Sequence, residues 1–190
     1  MKYEKLKTPE ELLTFMDQNI VFGFIGKNGK KYTNMFTKAW EEDWYSECIV
    51  QSGEEVLKTR IGTCWDQVEL ERLWFKTNDY EFKTIFIWFE MNEENDLPTH
   101  TFLVYKSDNK YCWFEHSFED NKGIHEFDTF EKVIECVKQK QLEAAINSGK
   151  AKIEQYNLIK AYEFEEPLSN ISVSEYLKHV TKRLLEFNKL

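Results

Sequence analysis

One cysteine lies in a sequence context that favours a reactive thiol. Cys64 follows Thr63, a residue type that commonly caps helix N-termini, and Asp66 stands three residues after Thr63. This Thr-x-x-Asp spacing is a variant of the capping box, so it predicts that Cys64 occupies the first helical position. Free backbone N–H groups and the positive end of the helix dipole favour a negative charge there. Cys64 is therefore a candidate nucleophile.

The predicted helix that begins at Cys64 continues with enough apolar side chains to pack centrally in the fold. We expect its charged residues to lie on more polar faces. The apolar positions are Val68, Leu70, Leu73, Trp74 and Phe75, and the polar ones are Asp66, Glu69, Glu71 and Arg72.

A histidine and a carboxylate occur on a predicted hairpin that follows this helix. The residues Phe82 to Glu90, Thr99 to Tyr105 and Tyr111 to Ser117 are rich in aromatic and β-branched types and predict three strands. A two-residue turn at Asp108-Asn109 would join the last two strands. His100 opens the second of the three strands, and Glu115 lies near the end of the third.

The turn length predicts which side chains share a face of the hairpin. It places Phe102 opposite Glu115, so that Glu115 becomes a diagonal neighbour of His100 on the same face. His116 then points to the other face unless a bulge intervenes. Glu119 and Asp120, like His116, remain alternative third members of a relay built on Cys64 and His100.

These residues resemble the transglutaminase-like branch of the papain-like cysteine hydrolase superfamily. The resemblance covers roughly residues 54 to 118. It depends on Gly62-Thr63-Cys64-Trp65-Asp66, which is similar to the family's G-x-C-x-D at a helix start, on His100 at a strand start, and on a carboxylate after the hairpin. Glu115 stands where the family usually has Asp, and the longer side chain changes the reach to the histidine.

The resemblance implies an α+β fold in which the cysteine helix packs on an antiparallel sheet. It also implies acyl transfer through a Cys-His-acid triad. Cys64 would attack an amide or peptide carbonyl, His100 would move the proton, and Glu115 would orient the imidazole. Water or an amine would resolve the thioester, giving hydrolysis, deamidation or transamidation. The expected substrate is a peptide, a protein or a small amide.

An acyl-transfer site also needs donors for the oxyanion, and the backbone N–H of Cys64 is the natural first one. Papain-like proteases use a glutamine six residues before the cysteine, where this chain has Lys58, while Gln51 lies farther upstream. Transglutaminases use an indole N–H, for which Trp44 or Trp40 is available. Further candidate site residues are Trp65, Asp66 as a cap, Gln67 as a hydrogen bonder on the helix face, and His116 as a lining residue.

Composition predicts one cytoplasmic domain that spans residues 1–190. The N-terminus lacks an apolar signal segment, and no stretch is long and apolar enough to span a bilayer. Cys48, Cys64, Cys112 and Cys136 show no CxxC spacing, which favours reduced thiols. The formal charge of −9 with scattered lysines disfavours nucleic acid as a partner.

Cofactor and metal motifs do not occur in the sequence. It contains no GxGxxG, Walker A or EF-hand pattern, so we expect no cofactor. A zinc site built from Cys64, His100 and His116 lacks the usual ligand spacing. The alternatives to an enzyme are a catalytically inactive relative that binds a peptide or another ligand, and a structural partner protein with an inert Cys64.

Cap and turn signals place the remaining elements. Helices are predicted after Thr8, from Ser52 to near Thr59, from Asp128 to near Asn147, and from Ser172 through Leu184. Tyr156 to Phe164 is predicted to be a strand. Met35 to Tyr45 is predicted to be helical or irregular and to form a wall of the cleft, and Met91 to Leu97 to be an acidic loop.

Overall fold

The computed structural model describes residues 2–34, 37–90 and 99–187. Helices and antiparallel strands both contribute, so the chain is an α+β protein. The α-helices are α1 (Pro9–Asn19), α2 (Lys38–Glu47), α3 (Gly53–Thr59), α4 (Cys64–Thr77), α5 (Phe130–Asn147) and α6 (Val173–Val180). Short 3-10 helices cover Tyr3–Lys5, Glu119–Asn121 and Ile153–Leu158.

Eleven strands are found in the described part of the chain, and they form three sheets. They are β1 (Val21–Phe22), β2 (Phe24–Gly26), β3 (Lys31–Tyr32), β4 (Cys48–Val50), β5 (Ile61–Gly62), β6 (Phe82–Phe89), β7 (Thr99–Ser107), β8 (Lys110–Glu115), β9 (Gly123–Phe127), β10 (Ile159–Phe164) and β11 (Ile171–Ser172). The largest sheet is antiparallel with the order β10-β6-β7-β8-β9. A four-stranded antiparallel sheet has the order β11-β4-β2-β3, and β1 pairs with β5 in parallel.

The five-stranded sheet separates two hydrophobic clusters because its side chains alternate between two faces. One cluster joins the sheet to α1, α4 and α6, and it includes Trp65, Phe75, Phe86, Leu103 and Phe114. The other joins the opposite face to α5. Helix α4, which carries Cys64, therefore packs centrally against an antiparallel sheet, as the sequence predicts.

Local cap signals define the helix starts. The side chains of Thr8, Ser52 and Ser172 accept hydrogen bonds from the backbone N–H three residues later, which confirms the predicted starts of α1, α3 and α6. Helix α5 has Thr129 as its N-cap, one residue later than the Asp128 signal indicates. Cap chemistry thus places these four helix starts to within one residue.

Two predicted elements differ from the structure. The predicted strand from Tyr156 is wrong in its first part, because Ile153–Leu158 is a 3-10 helix and pairing with β6 begins only at Ile159. The predicted inclusion of Leu184 in the last helix is also wrong, since α6 ends at Val180 and Leu184 forms a bridge with Tyr162 instead. In both cases pairing with the sheet overrides the local pattern.

The predicted polar faces of α4 are absent, and this prediction is wrong. The relative exposure of Asp66, Glu69, Glu71 and Arg72 is only 0%, 4%, 3% and 7%. Helix α3 covers one side of α4 and the large sheet covers another. Gly53 permits the close approach of α3, because a Cβ at that position would lie 2.6 Å from the Glu69 carbonyl oxygen. The α4 helix is therefore enclosed on faces that carry charged residues.

The structure places two further predicted segments only in part. Helix α2 covers most of the segment from Met35 to Tyr45, whereas residues 35 and 36 lie outside the described residues. The predicted acidic loop from Met91 to Leu97 also lies outside them. None of the helices in the described part of the chain is long and apolar enough to cross a membrane.

Candidate active site

Cys64 is the first residue of α4, and it is partly exposed. The N-cap is Thr63, whose backbone N–H donates to Asp66 Oδ2 over 2.8 Å. The Thr63 hydroxyl donates to the same oxygen over 2.8 Å. The first N–H groups of a helix have no partner within the helix, so the thiol stands beside the positive helix end. The predicted placement of Cys64 is confirmed.

Asp66 is a fully buried cap rather than a reacting group. Its second oxygen, Oδ1, accepts the backbone N–H of Gln51 over 2.7 Å, which connects α4 to the segment after β4. Burial raises the pKa of Asp66 to about 6, although its hydrogen bonds with Gln51 and Thr63 oppose the shift. The carboxylate thus fixes the turn that presents Cys64.

His100 and Glu115 form a buried pair at the end of the large sheet. The imidazole Nε2 lies 2.7 Å from Glu115 Oε2, and both side chains are at most 5% exposed. The hairpin register pairs Leu103 with Phe114 and Ser107 with Lys110 across the predicted two-residue turn. One more step of that register places Phe102 opposite Glu115, which confirms the predicted diagonal relation of Glu115 to His100.

Glu115 accepts hydrogen bonds from four donors. Its Oε2 also accepts the indole N–H of Trp113 over 3.1 Å, while Oε1 accepts the backbone N–H of Phe118 over 2.7 Å and the hydroxyl of Ser117 over 3.2 Å. Four donors compensate for the removal of a carboxylate from water. The longer Glu side chain therefore reaches the histidine, and the four donors replace the water molecules that its carboxylate loses on burial.

The electrostatics of this pair favour charge on both partners. Burial would raise the pKa of Glu115, but His100 and the other hydrogen-bond donors hold it below its usual value. Burial lowers the pKa of His100, yet the Glu115 carboxylate and a hydrogen bond with the Cys64 side chain raise it overall to about 10. At neutral pH the imidazolium is the favoured form. Phe102 and Phe118 pack on the ring at centroid distances of 5.8 and 5.5 Å and fix its plane.

Matched lengths of α4 and β7 bring Cys64 to His100. The rings of Phe75 and Tyr105 are in contact at 4.8 Å, so these two positions lie at the same level. Eleven residues of helix lead back to Cys64 and five residues of strand lead back to His100, which is about 16 Å in each case. The hydrogen bond between the Cys64 side chain and His100 is the second point of contact, so the two elements run in the same direction and the thiol and the imidazole meet at one end of the layer.

His116 is the residue that follows β8, and its side chain points to α4, away from the Glu115–His100 pair, where it belongs to a separate hydrogen-bond chain. Its Nδ1 is 2.6 Å from Gln67 Oε1, and Gln67 Nε2 donates to the carbonyl of Gly62 over 2.8 Å. An amide oxygen only accepts, so Nδ1 carries the proton. Burial lowers the pKa of His116 to about 4, which keeps the ring neutral. His116 and Gln67 thus support the backbone just before Cys64.

The structure limits the choice of a second oxyanion donor. The amide of Gln51 donates to the Ile61 carbonyl over 2.9 Å, so this group already supports the chain. Lys58 is exposed on α3. The Trp44 ring packs on Trp65, the residue after Cys64, with 5.4 Å between centroids, and Trp40 lies one ring farther away. Of these upstream candidates, Trp44 is therefore separated from Trp65, the neighbour of Cys64, by the fewest ring contacts.

The alternative acids do not bond to His100. Glu119 and Asp120 are exposed in a 3-10 helix, and Glu119 pairs with Lys122 at 2.9 Å. Among the described residues, no group of three or more His, Cys, Asp and Glu side chains is arranged to hold a metal ion. Cys64, His100 and Glu115 are thus the set that the fold brings together.

Sequence reasoning missed two residues near this set. Trp113 donates to Glu115 from two positions earlier on the same strand face, which strand alternation would have revealed. Glu71 lies seven residues after Cys64 on α4, and its Oε2 is buried. A spacing of seven residues returns to the same helix face, so periodicity alone would have placed Glu71 beneath Cys64.

We expect Gly62→Ala to destabilise the turn that presents Cys64. An added Cβ would lie 3.0 Å from the Asp66 Cβ and 3.3 Å from the Gln67 Cγ, so the capping residue must shift. Overpacking of this kind costs about 1 to 3 kcal/mol. Urea denaturation measures the loss. An unchanged denaturation midpoint in Gly62→Ala would contradict the close packing.

A scan against protein-family models finds no family that matches this chain, and a search of curated proteins finds no matching protein. Any activity assigned to the chain therefore depends on the residues of the site itself.

Proposed function

We propose that this protein is a cysteine-dependent acyl-transfer enzyme of the transglutaminase-like type, with Cys64 as nucleophile, His100 as general acid and base, and Glu115 as the orienting carboxylate. The observation that carries the proposal is the buried 2.7 Å pair of Glu115 and His100 next to a cysteine at a helix start. A cysteine helix packed on an antiparallel sheet, with the histidine and acid on adjacent strands, supports the transglutaminase-like fold.

The reaction follows from the positions of these groups. The Cys64 thiolate attacks the acyl carbon of an amide, and the Cys64 backbone N–H and a second donor, for which we favour the Trp44 indole, stabilise the oxyanion. Because Nε2 of His100 faces Glu115, Nδ1 is the nitrogen left for the thiol and the leaving amine. The imidazolium gives its proton to the amine as the C–N bond breaks, which leaves a thioester and a neutral imidazole.

The second half-reaction restores the resting state. His100 takes a proton from water or from an amine, the resulting nucleophile attacks the thioester, and the C–S bond breaks to release the Cys64 thiolate. Water gives hydrolysis or deamidation, and an amine gives transamidation. Glu115 stays ionised throughout and stabilises the imidazolium each time it forms.

The test is the pH dependence of Cys64 alkylation by iodoacetamide, followed by peptide mass spectrometry. A thiol with the ordinary pKa of about 8.5 is only about 1% thiolate at a pH near 6.5. We therefore expect His100→Ala to lower the rate at Cys64 by up to about 100-fold at that pH. His179→Ala, a histidine whose Nε2 bonds to the Glu165 carbonyl, is the matched control and should leave the rate unchanged.

Internal controls are present in every sample. Burial raises the pKa of Cys48, Cys112 and Cys136, so these thiols should react more slowly than Cys64. Labelling of Cys64 that is no faster than that of Cys136, the other partly exposed cysteine, or that is insensitive to His100→Ala, would refute the catalytic pair.

A generic acyl donor separates the enzyme from an inactive binding relative. With 4-nitrophenyl acetate we expect a burst of one nitrophenolate per chain and an acetyl thioester on Cys64 that hydroxylamine removes. Cys64→Ser should show neither. A reactive Cys64 that alkylates in a His100-dependent way but never turns over an acetyl group would favour the inactive binding relative instead.

A further inference from the structure

Glu71 lies on the face of α4 that packs against β7 and β8. It follows Cys64 by seven residues and precedes Phe75 by four, so the three side chains form one stripe. Phe75 packs on Tyr105 of β7 and on Phe114 of β8, with centroid distances of 4.8 and 5.5 Å. The stripe is thus directed at the two strands that carry His100 and Glu115. Helical side chains tilt toward the N-terminus, which brings the Glu71 carboxyl back toward Cys64.

This carboxyl is buried without the partners that a buried charge requires. Glu71 is 3% exposed, and its Oε2 has no hydrogen-bond partner among the residues that the structure describes. Buried carboxylates are normally paired or accept several hydrogen bonds, as Glu115 does. Glu69, two residues away, has Arg72 as its counterion at 2.8 Å. Glu71 therefore differs from both neighbouring buried carboxylates.

The charges around Glu71 favour its neutral form. The charged or titratable groups whose electrostatic fields act on Glu71 are Glu115 on β8, His100 on β7, and Glu69 and Cys64 on its own helix. Burial, followed by repulsion from Glu115, raises the pKa of Glu71 well above its usual value, and only the attraction of His100 opposes the shift. With a Cys64 thiolate, an imidazolium and the Glu115 carboxylate present, the site already carries one net negative charge.

We propose that Glu71 is a positioning residue that works as an uncharged carboxylic acid beneath the triad. Its deprotonation at alkaline pH destabilises the Cys64 thiolate relative to the thiol. The inference rests on the proposed function of Cys64 and His100. A second negative charge in this enclosed site would repel the thiolate and hold the proton on His100. The neutral acid leaves Glu115 as the single carboxylate that acts on the imidazolium.

Two measurements on the full chain test this role. Infrared difference spectra of wild type minus Glu71→Gln at neutral pH should show the C=O stretch of one protonated carboxylic acid. The second measurement is the rate of iodoacetamide alkylation of Cys64 from pH 6 to 10. At neutral pH the rates of wild type and Glu71→Gln should agree within about threefold, because glutamine is uncharged and of the same size. At the alkaline end the wild-type rate should fall at least threefold below that of Glu71→Gln.

Matched variants separate this role from simple packing. Glu69→Gln makes the same change two positions away, against Arg72, and its rate at the alkaline end should, like that of the wild type, lie at least threefold below that of Glu71→Gln. Glu71→Met is a second uncharged replacement of similar volume if Glu71→Gln folds poorly, and its rate at the alkaline end should likewise exceed that of the wild type at least threefold. Thermal melts establish that each variant is folded.

The outcomes are distinct from those of the function test. Absence of the protonated-acid band would overturn the neutral state of Glu71, whatever Cys64 does. Superimposable alkylation profiles of wild type and Glu71→Gln over the whole pH range would overturn the positioning role. Insensitivity of Cys64 to His100→Ala would instead refute the proposed function, and the infrared band would still report on Glu71.

Discussion

Glu115→Gln is expected to lower the rate of Cys64 acylation by 4-nitrophenyl acetate by about 10³ to 10⁴, the loss typical when the orienting carboxylate of a triad is made neutral. The carboxylate holds His100 through a 2.7 Å hydrogen bond. Its negative charge is the largest of the interactions that raise the pKa of His100. Glutamine fills the same space but removes that charge. Stopped-flow measurement of nitrophenolate release gives the rate.

Glu115→Ala should in addition destabilise the fold. It leaves the Trp113 indole N–H, the Phe118 backbone N–H and His100 Nε2 without their acceptor in a buried place. Removing one member of a buried charged pair costs about 3 to 5 kcal/mol. Urea denaturation measures the change in the free energy of unfolding. Glu119→Gln, which alters an exposed acid of the same segment, should change neither stability nor acylation.

The stability contribution of the pair has a defined pH range. The pKa of Glu115 lies below its usual 4.5 in the folded state, so its contribution is present above that value and is lost as the pH falls further. The pKa of His100 is raised from 6.5 to about 10, so its contribution is full below 6.5 and is lost as the pH rises through 10. The stability difference between wild type and Glu115→Gln should therefore be greatest between about pH 4.5 and 6.5. A difference that grows above pH 8 would contradict the charged pair.

The parts of the site that sequence predicted are those set by local rules. The Thr63–Asp66 cap depends on a spacing of three residues, and the relation of Glu115 to His100 follows from a two-residue turn. Such features need no knowledge of what packs around them. Cys64 and His100 are 36 positions apart, and their approach follows only once α4 is known to lie along β7.

The features that sequence missed depend on neighbours distant in the chain. The charged residues of α4 suggested polar faces because nothing local shows that α3 and the sheet cover that helix. Glu69 and Arg72 neutralise each other inside this layer, which permits their burial. Likewise, β10 begins at Ile159, opposite Phe89 of β6, because the residues before it form the 3-10 helix Ile153–Leu158. Tertiary packing thus decided the cases in which local propensity was ambiguous.

The buried Glu69–Arg72 pair is the basis of the second large effect that we expect. Arg72 Nε donates to Glu69 Oε2 over 2.8 Å, and Nη2 donates to Thr84 Oγ1 over 2.6 Å. The Thr84 hydroxyl in turn donates to the Phe164 carbonyl over 2.6 Å, while the guanidinium lies 5.2 Å from the Phe164 ring centroid. This network connects α4 to β6 and β10.

Arg72→Met should lower the free energy of unfolding by about 3 to 5 kcal/mol, because it leaves the Glu69 carboxyl buried without its counterion. Burial raises the pKa of Glu69 from 4.5 to about 7 even with the opposing attraction of Arg72. A raised carboxyl pKa gives a contribution that is full below 4.5 and is lost as the pH rises through 7. Without Arg72 the pKa rises further, so the variant should lose more stability at pH 8 than at pH 5.

A double-mutant cycle shows whether the loss comes from the unpaired carboxyl. Glu69→Met/Arg72→Met removes both charges and should recover most of the stability that Arg72→Met loses, since two uncharged side chains leave no buried ion. Lys76→Met, one turn along α4, breaks an ion pair with Glu166 whose side chains are 69% and 57% exposed. That control should cost at most about 1 kcal/mol. Equal losses in the double variant and in Arg72→Met would instead assign the effect to the contacts of Arg72 with Thr84 and Phe164.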